Sequence, residues 1–392
     1  MPPILFCCGS APPNPGGTGV LLARLLRNLP PDSLVIAHQL RAVTESSTLD
    51  LPFPRFAFSF GSSIVWTDRA FRRFPYFAVP FVRRFLKRII KITRPTQIHI
   101  HYPEGIFAVA GYQVCRQLGL PMTLSFDILW EETVPGVHKS LARHYEHHIV
   151  RYAFRRFAIT EFARDYLEAK HNSTFELLPH TIDPTYLNDL SWRPLSNSPS
   201  VVHFAGSVYP RMNLDSLLRL IEASRLTRHS IRLDMCTHFR FEDRDVDISY
   251  RYLPQQELIN AQRHADILFL PQAFTSDAPM MIRNNLPTKL MDYLVSGRPI
   301  LIHSPSDSYL NYLARREGFA LIVERPDPFE LAVAIDKLLR DHNLQRQLVA
   351  NAFRFAETRR SDRWANYFYD AITVADRNNR PEPIALAPWS MP

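Results

Sequence analysis

Glycine is scarce in this chain: 12 among 392 residues, where about 7% would be usual. A glycine-rich phosphate fingerprint therefore has little to be built from. "GGTG" at 16–19 is the one glycine pair, and its spacing does not fit G-x-G-x-x-G. The strand that would have to end in a ribose-binding acid, "SLVIAHQL", ends in His38 and Gln39. A nicotinamide cofactor is excluded on both counts. Cysteine is scarcer still. Cys7, Cys8, Cys115 and Cys236 show no paired metal spacing, and neighbours on a strand point to opposite faces. This excludes a disulfide framework and fits reduced thiols in a cytoplasmic protein. No apolar run reaches 18 residues, so no spanning helix is expected. "MPPILFCC" lacks a basic leader and a small-residue cleavage site, and reads as a first strand. "RHYEHH" (143–148) puts His144 and His148 one helical turn apart without a third ligand. "DRDVD" (243–247) sits in a polar stretch between two strands and reads as a solvated loop. No metal is expected.

What remains is ordinary globular composition, 46% apolar, in a chain too long for one core. Short apolar runs alternate with helical patterns. In the second half the strands are 201–206, 231–236, 248–253, 265–271, 298–303 and 319–324, with helices at 213–225, 255–264, 287–296 and 307–316. In the first half they are 3–8, 33–37, 97–101 and 122–126, with helices at 18–28, 105–118, 137–155 and 161–170. Strand–helix alternation predicts α/β architecture: two Rossmann-like doubly wound parallel-sheet domains in tandem, facing a cleft. The expected division is 1–189, a Pro/Ser-rich linker at 190–200, and 201–357. A C-terminal helix over 358–378 packs back on the first domain, and 379–392 form a loose tail.

Chemistry concentrates in "NNLPTKLMDYLVSGRPILI" (284–302). Pro287 suits a helix start. Leu290, Met291, Leu294 and Val295 make a buried stripe, and Gly297 supplies a left-handed stop before Pro299. Thr288 and Asp292 fall on one exposed face. Pro287 opens the first turn without an N–H of its own, and the N–H groups of Thr288, Lys289 and Leu290 after it form an anion seat. One turn, about 5.4 Å, matches the step from a diphosphate to a ribose, whose vicinal hydroxyls Asp292 can hold. A plain surface acid is the other reading of Asp292.

The segment "LPTKLMDYLVSGRPIL" resembles the GT-B glycosyltransferases of the large retaining, nucleotide-sugar-dependent family (family 4-like). "GGTG" (16–19), "AITEFARDYL" (158–167), "LPHTID" (178–183) and "FAGSVYPRMNLDSLLRLIEA" (204–223) follow in the family's order. The resemblance spans nearly the whole chain. It implies transfer of a sugar from a nucleotide diphosphate sugar to a saccharide or lipid-linked acceptor hydroxyl, with retention. The setting it implies is cell-surface polysaccharide or glycolipid synthesis. It also implies that no cofactor or metal is needed, since helix dipole and cations neutralise the leaving diphosphate. Residue by residue, Gly16, Gly17 and Thr18 face the cleft, and Gly206 is among the residues that bind the nucleotide sugar. Arg211 matches the second member of a basic pair whose first falls near Ser207, with Lys289 or Arg283 compensating. Asn284 stands where the family has its first Glu, and Asp292 where it has its second. His101 and Asp127 end strands of the first domain and are candidates for acceptor or donor-sugar contacts, or simple caps. Two alternatives share the pattern: a nucleotide-sugar epimerase, and a non-catalytic nucleotide-sugar-binding partner.

Residues 71–95, "FRRFPYFAVPFVRRFLKRIIKITRP", hold eight Lys or Arg and no acid, equal to the net charge of +8. Interleaved aromatics point to an anionic membrane surface rather than nucleic acid, with a solvated edge as the plain alternative. The expected location is cytoplasmic, peripheral on the inner membrane face. Pro75 and Pro80 argue against one unbroken helix here.

Overall fold

The computed structural model describes all residues except 1, 10–15, 40–50, 59–74, 103–104, 135, 189, 193, 195–196, 244 and 374–392. The chain divides into two units, 1–179 with 364–392, and 180–363. The division falls earlier than the expected end at 189, and the 190–200 stretch belongs wholly to the second unit.

In the first unit, seven strands form one sheet: β1 (Ile4–Cys8), β2 (Leu34–Gln39), β3 (Arg55–Phe58), β4 (Ile98–Tyr102), β5 (Met122–Phe126), β6 (Arg155–Ala158) and β7 (Glu176–Leu177). Their order is β3-β2-β1-β4-β5-β6-β7, every pair parallel. The helices are α1 (Gly17–Leu26), α2 (Val79–Thr93), α3 (Gly105–Leu118), α4 (Trp130–Thr133), α5 (Gly136–Tyr152) and α6 (Glu161–His171). β3, β6 and β7 were not expected. β3 alternates exposed and half-buried at the sheet edge, β6 opens with two arginines, and β7 has two residues. None carries a long apolar run. Of segment 71–95, residues 71–74 lie outside the described residues, and Pro75–Ala78 form a 3-10 turn ahead of the helix. From Val79 it is a single helix, because Pro80 sits in the first turn, where no amide is needed.

The second unit holds six strands: β8 (Ser200–Ala205), β9 (Ile231–Cys236), β10 (Asp247–Arg251), β11 (Ile267–Pro271), β12 (Ile300–His303) and β13 (Ala320–Val323). Their order is β10-β9-β8-β11-β12-β13, again all parallel. Its helices are α7 (Leu214–Leu226), α8 (Gln255–Arg263), α9 (Pro279–Asn284), α10 (Leu290–Leu294), α11 (Tyr309–Glu317), α12 (Pro328–Arg340) and α13 (His342–Glu357). A last helix, α14 (Ser361–Thr373), starts in this unit and runs on into the first, where Ala365, Phe368 and Ile372 join the core of Phe6, Leu22, Leu26, Ile36 and Phe157. The way in and the way out of the second unit are pinned side by side. Ile182 donates its amide to the Arg359 carbonyl at 2.7 Å and accepts from the Ser361 amide at 2.8 Å.

The strand order of each sheet doubles back once, between β1 and β4 and between β8 and β11. Ligands of such sheets bind beyond the carboxyl ends of the strands at that point. His101 on β4 and Gly206 after β8 are at those two places, and Asp127 follows β5 alongside.

Candidate functional site

In the second unit β8 runs out at Ala205, whose amide donates a hydrogen bond to the Tyr293 hydroxyl oxygen at 3.1 Å. Gly206 then takes φ +123. Its missing side chain has a purpose: a Cβ there would lie 3.0 Å from both Cε and Nζ of Lys289. The lysine is laid across the glycine backbone, with its ammonium 4.2 Å from the centre of the Phe204 ring. It has no ion-pair partner among the described residues. Burial pulls its pKa down to about 7.

Lys289 is also the N-cap of α10, and here the expected helix over 287–296 is corrected. Pro287 and Thr288 are in a turn before it, not in it. The amides of Leu290 and Met291 already donate to the carbonyls of Pro287 and Thr288. Those donors are therefore not bare, and an anion at this end meets the Lys289 side chain before a row of free amides. Asp292 is likewise not on an exposed face but buried. Five-residue α10 packs against α8 and α13 and is buried from Leu290 to Leu294, leaving it no solvent side. The apolar stripe and the stop at Gly297, φ +71, are as expected. A Cβ on Gly297 would fall 2.4 Å from the Ser191 carbonyl oxygen.

In the first unit, Thr18 at the start of α1 donates to the Asp127 carboxylate at 3.1 Å, uniting two residues chosen separately from the sequence. Gly16 and Gly17 are exposed beside them. Buried His101 has its Nδ1 2.8 Å from the Ser125 hydroxyl.

No family model and no curated protein matches this chain. Solved structures do. The sucrose-phosphate synthase of Thermosynechococcus elongatus aligns over 96% of this chain and all of its own, with TM-score 0.75 and 13% identity. The Anabaena protein HepE, in complex with UDP and glucose, aligns over 95% of this chain and all of its own, with TM-score 0.67 and 13% identity. The trehalose-6-phosphate synthase OtsA aligns over 95% and 99%, with TM-score 0.65 and 12% identity. The chain has the GT-B fold.

Within this GT-B frame the other sequence candidates disperse. Arg211 is exposed and paired with exposed Asp277 at 2.9 Å. Arg283 is exposed at the end of α9. Asn284 is buried, and its side-chain amide donates to the Met280 carbonyl at 2.8 Å. Sequence reasoning missed Asn213, which braces the loop after Gly206 by accepting from the Tyr209 amide and donating to the Ser207 carbonyl. An asparagine just ahead of a helix was the available signal. It also missed His303 at the end of β12, 2.7 Å from the Ser216 hydroxyl, whose pKa burial lowers to about 4. His144 and His148 are exposed on α5. Among the described residues, the one group with metal-ligand spacing is His203, Asp234 and Cys236. Its carboxylate is already taken. Burial alone would raise the Asp234 pKa, but hydrogen bonds from His203 and Arg251 outweigh it and bring it to about 2.

Proposed function

We propose that this chain is a glycosyltransferase that takes its sugar from a nucleoside diphosphate sugar. The observation that carries this reading is the ammonium of Lys289, laid over Gly206 at the carboxyl end of β8 in a GT-B fold. A desolvated cation with no fixed partner is stabilised by an arriving anion, and most by one whose charge grows. Charge on the leaving diphosphate grows as the glycosidic bond opens. Asp292, about 4.5 Å along the helix from Lys289, is the group we assign to the ribose hydroxyls. Arg211 joins the diphosphate by exchanging Asp277 for it. In the first unit Asp127, oriented by Thr18, and His101 meet the sugar or the acceptor hydroxyl, with the Gly16–Gly17 backbone beside them. No metal is required in this scheme, and the stereochemistry is retaining.

For the acceptor we propose a lipid-linked saccharide at an anionic membrane surface on the cytoplasmic side. Support comes from α2 and the turn before it, where one face exposes Phe77, Phe81 and Ile92 together with Arg84, Arg88, Lys91 and Arg94. No helix of the described residues is long and apolar enough to cross a membrane. Each basic residue near an anionic surface contributes about 1 kcal/mol, and inserted aromatics add a part that salt does not screen.

The test is incubation with a panel of nucleotide sugars, UDP-glucose first, while free nucleoside diphosphate is measured. A transferase releases it slowly alone and faster with acceptor. A new sugar without release would make the protein an epimerase, and binding without either would make it a non-catalytic partner. Flotation with anionic liposomes tests the surface. Failure of the wild type to float at low salt would return α2 to a solvated edge and the acceptor to a soluble saccharide.

A further inference from the structure

A column of four polar side chains runs through the middle of the first sheet. β4 and β5 are paired so that His99 faces Thr123 and His101 faces Ser125. The side chains cross this register like rungs. His99 Nδ1 is 2.8 Å from Thr123 Oγ1, and His99 Nε2 is 3.0 Å from Ser125 Oγ. Ser125 Oγ is in turn 2.8 Å from His101 Nδ1. All four are buried, His99 and Thr123 completely. Phe6 stacks on both rings, at 4.9 and 6.1 Å, and Phe368 meets His99 edge-on at 5.0 Å. Burial, and secondarily the neighbouring His101, keeps the His99 pKa well below the usual range, so its ring is neutral.

A neutral imidazole has one donor and one acceptor nitrogen, and each hydroxyl one proton. An unbroken column can therefore run in two directions, and the third arrangement, with both rings donating to Ser125, leaves the buried Ser125 proton without an acceptor in the column. Thr123 has His99 as its one hydrogen-bond partner among the described residues. If His99 donated to Thr123, the buried Thr123 proton would be left without an acceptor in the column, which is the costly arrangement. With Thr123 as first donor, every proton is used. Thr123 donates to His99 Nδ1, His99 Nε2 donates to Ser125, and Ser125 donates to His101 Nδ1.

We infer that Thr123, His99 and Ser125 are positioning residues that fix His101 as a neutral hydrogen-bond donor through Nε2. His101 then offers a proton, not a lone pair, to an oxygen at the end of β4. A donor there suits a sugar hydroxyl or a phosphate oxygen and excludes His101 as the base that deprotonates an acceptor. The catalytic part of this inference rests on the reading above that His101 meets substrate.

Two measurements separate the column from that reading. In protein labelled with 15N-histidine and without substrate, His99 and His101 are expected as Nε2–H tautomers, with the His101 Nδ1 resonance at a hydrogen-bonded acceptor position. Ser125→Ala should move that resonance to the unbonded position, and Ser125→Thr should hold it in place. In transfer assays Ser125→Ala should lower kcat about tenfold at unchanged donor KM, the size of one lost hydrogen bond, and Ser125→Thr should restore it. A His101 Nδ1–H tautomer in the wild type, or a resonance that Ser125→Ala leaves in place, overturns the column. If His101→Ala transfers sugar at the wild-type rate, His101 is not at the site, and the catalytic part of the inference falls whatever the resonance shows.

Discussion

At the carboxyl end of β4, buried polar side chains are hydrogen-bonded to one another in a run from Thr123 through His99 and Ser125 to His101. At the carboxyl end of β8 a single ammonium lies on a glycine and an aromatic ring, held at a pKa of about 7 by burial alone. The two units share a fold and a strand order around the switch point, yet their ends are prepared differently. A satisfied network is rigid and holds geometry. A desolvated charge is unstable by itself and becomes stable when an anion arrives. In the function proposed above, one unit orients a neutral reactant and the other receives a charged one.

The largest effect should come from removing the ring that backs the column. Phe368→Ala leaves a cavity against His99 and Phe157, and should destabilise the first unit by about 3–5 kcal/mol. Calorimetry should show its transition lowered while that of the second unit stays. A common shift would mean that the units do not unfold separately.

Next comes the charge itself. Lys289→Met should weaken nucleoside diphosphate binding by about a hundredfold, within the range of a lost charge-assisted contact. Titration calorimetry with UDP reads this directly. Binding at wild-type strength would remove Lys289 from the donor site. Asp292→Ala should cost more than tenfold in the same assay, with Asp292→Glu close to wild type.

The comparison also has a pH signature. Free Lys289 has its pKa lowered to about 7, and a bound diphosphate raises it. Binding then takes up a proton above pH 7. Affinity should be level below pH 7 and fall as pH rises through it, by up to about tenfold per unit, until the bound-state pKa is passed. Lys289→Arg should flatten this profile. A wild-type profile already flat from pH 6 to 9 would show the ammonium charged throughout.

The smallest effect belongs to Arg211. Its exposed pair with Asp277 should contribute nothing measurable to melting temperature. Arg211→Ala should lower turnover more than donor affinity, because it acts as charge develops. Equal loss in both would make it a plain binding group.

How much of this could be read from the sequence depends on the kind of residue. The long apolar strands and the 105–118 helix were legible because their periodicity is local. Edge strand β3 and arginine-headed β6 were not, since their burial comes from neighbours distant in sequence. Lys289 and Gly206 were each nominated, but not their contact across 83 positions, which only the crossing from β8 to α10 creates. Asp292 was placed on the wrong side of its helix, because a five-residue helix surrounded by packing has no outer face. The histidine column was half visible: "HIH" and "TLS" alternate correctly, but nothing local says that the two strands are adjacent and in register.

The pinned ends of the second unit, Ile182 against Arg359 and Ser361, have a consequence for how the protein is made. A ribosome delivers residues in order, and domains commonly fold as they emerge. Here the first unit cannot close its core when its own strands are out, because Phe368 and Ile372 belong to that core and follow the second unit. The second unit is complete by then and can fold while its host is still open. The nascent chain must therefore keep the first sheet, with its exposed apolar strands, from aggregating through the synthesis of the 184 residues of the second unit (180–363). A stop codon after Arg363 would leave that state permanent, and the polypeptide would carry a folded second unit on an unfinished first one.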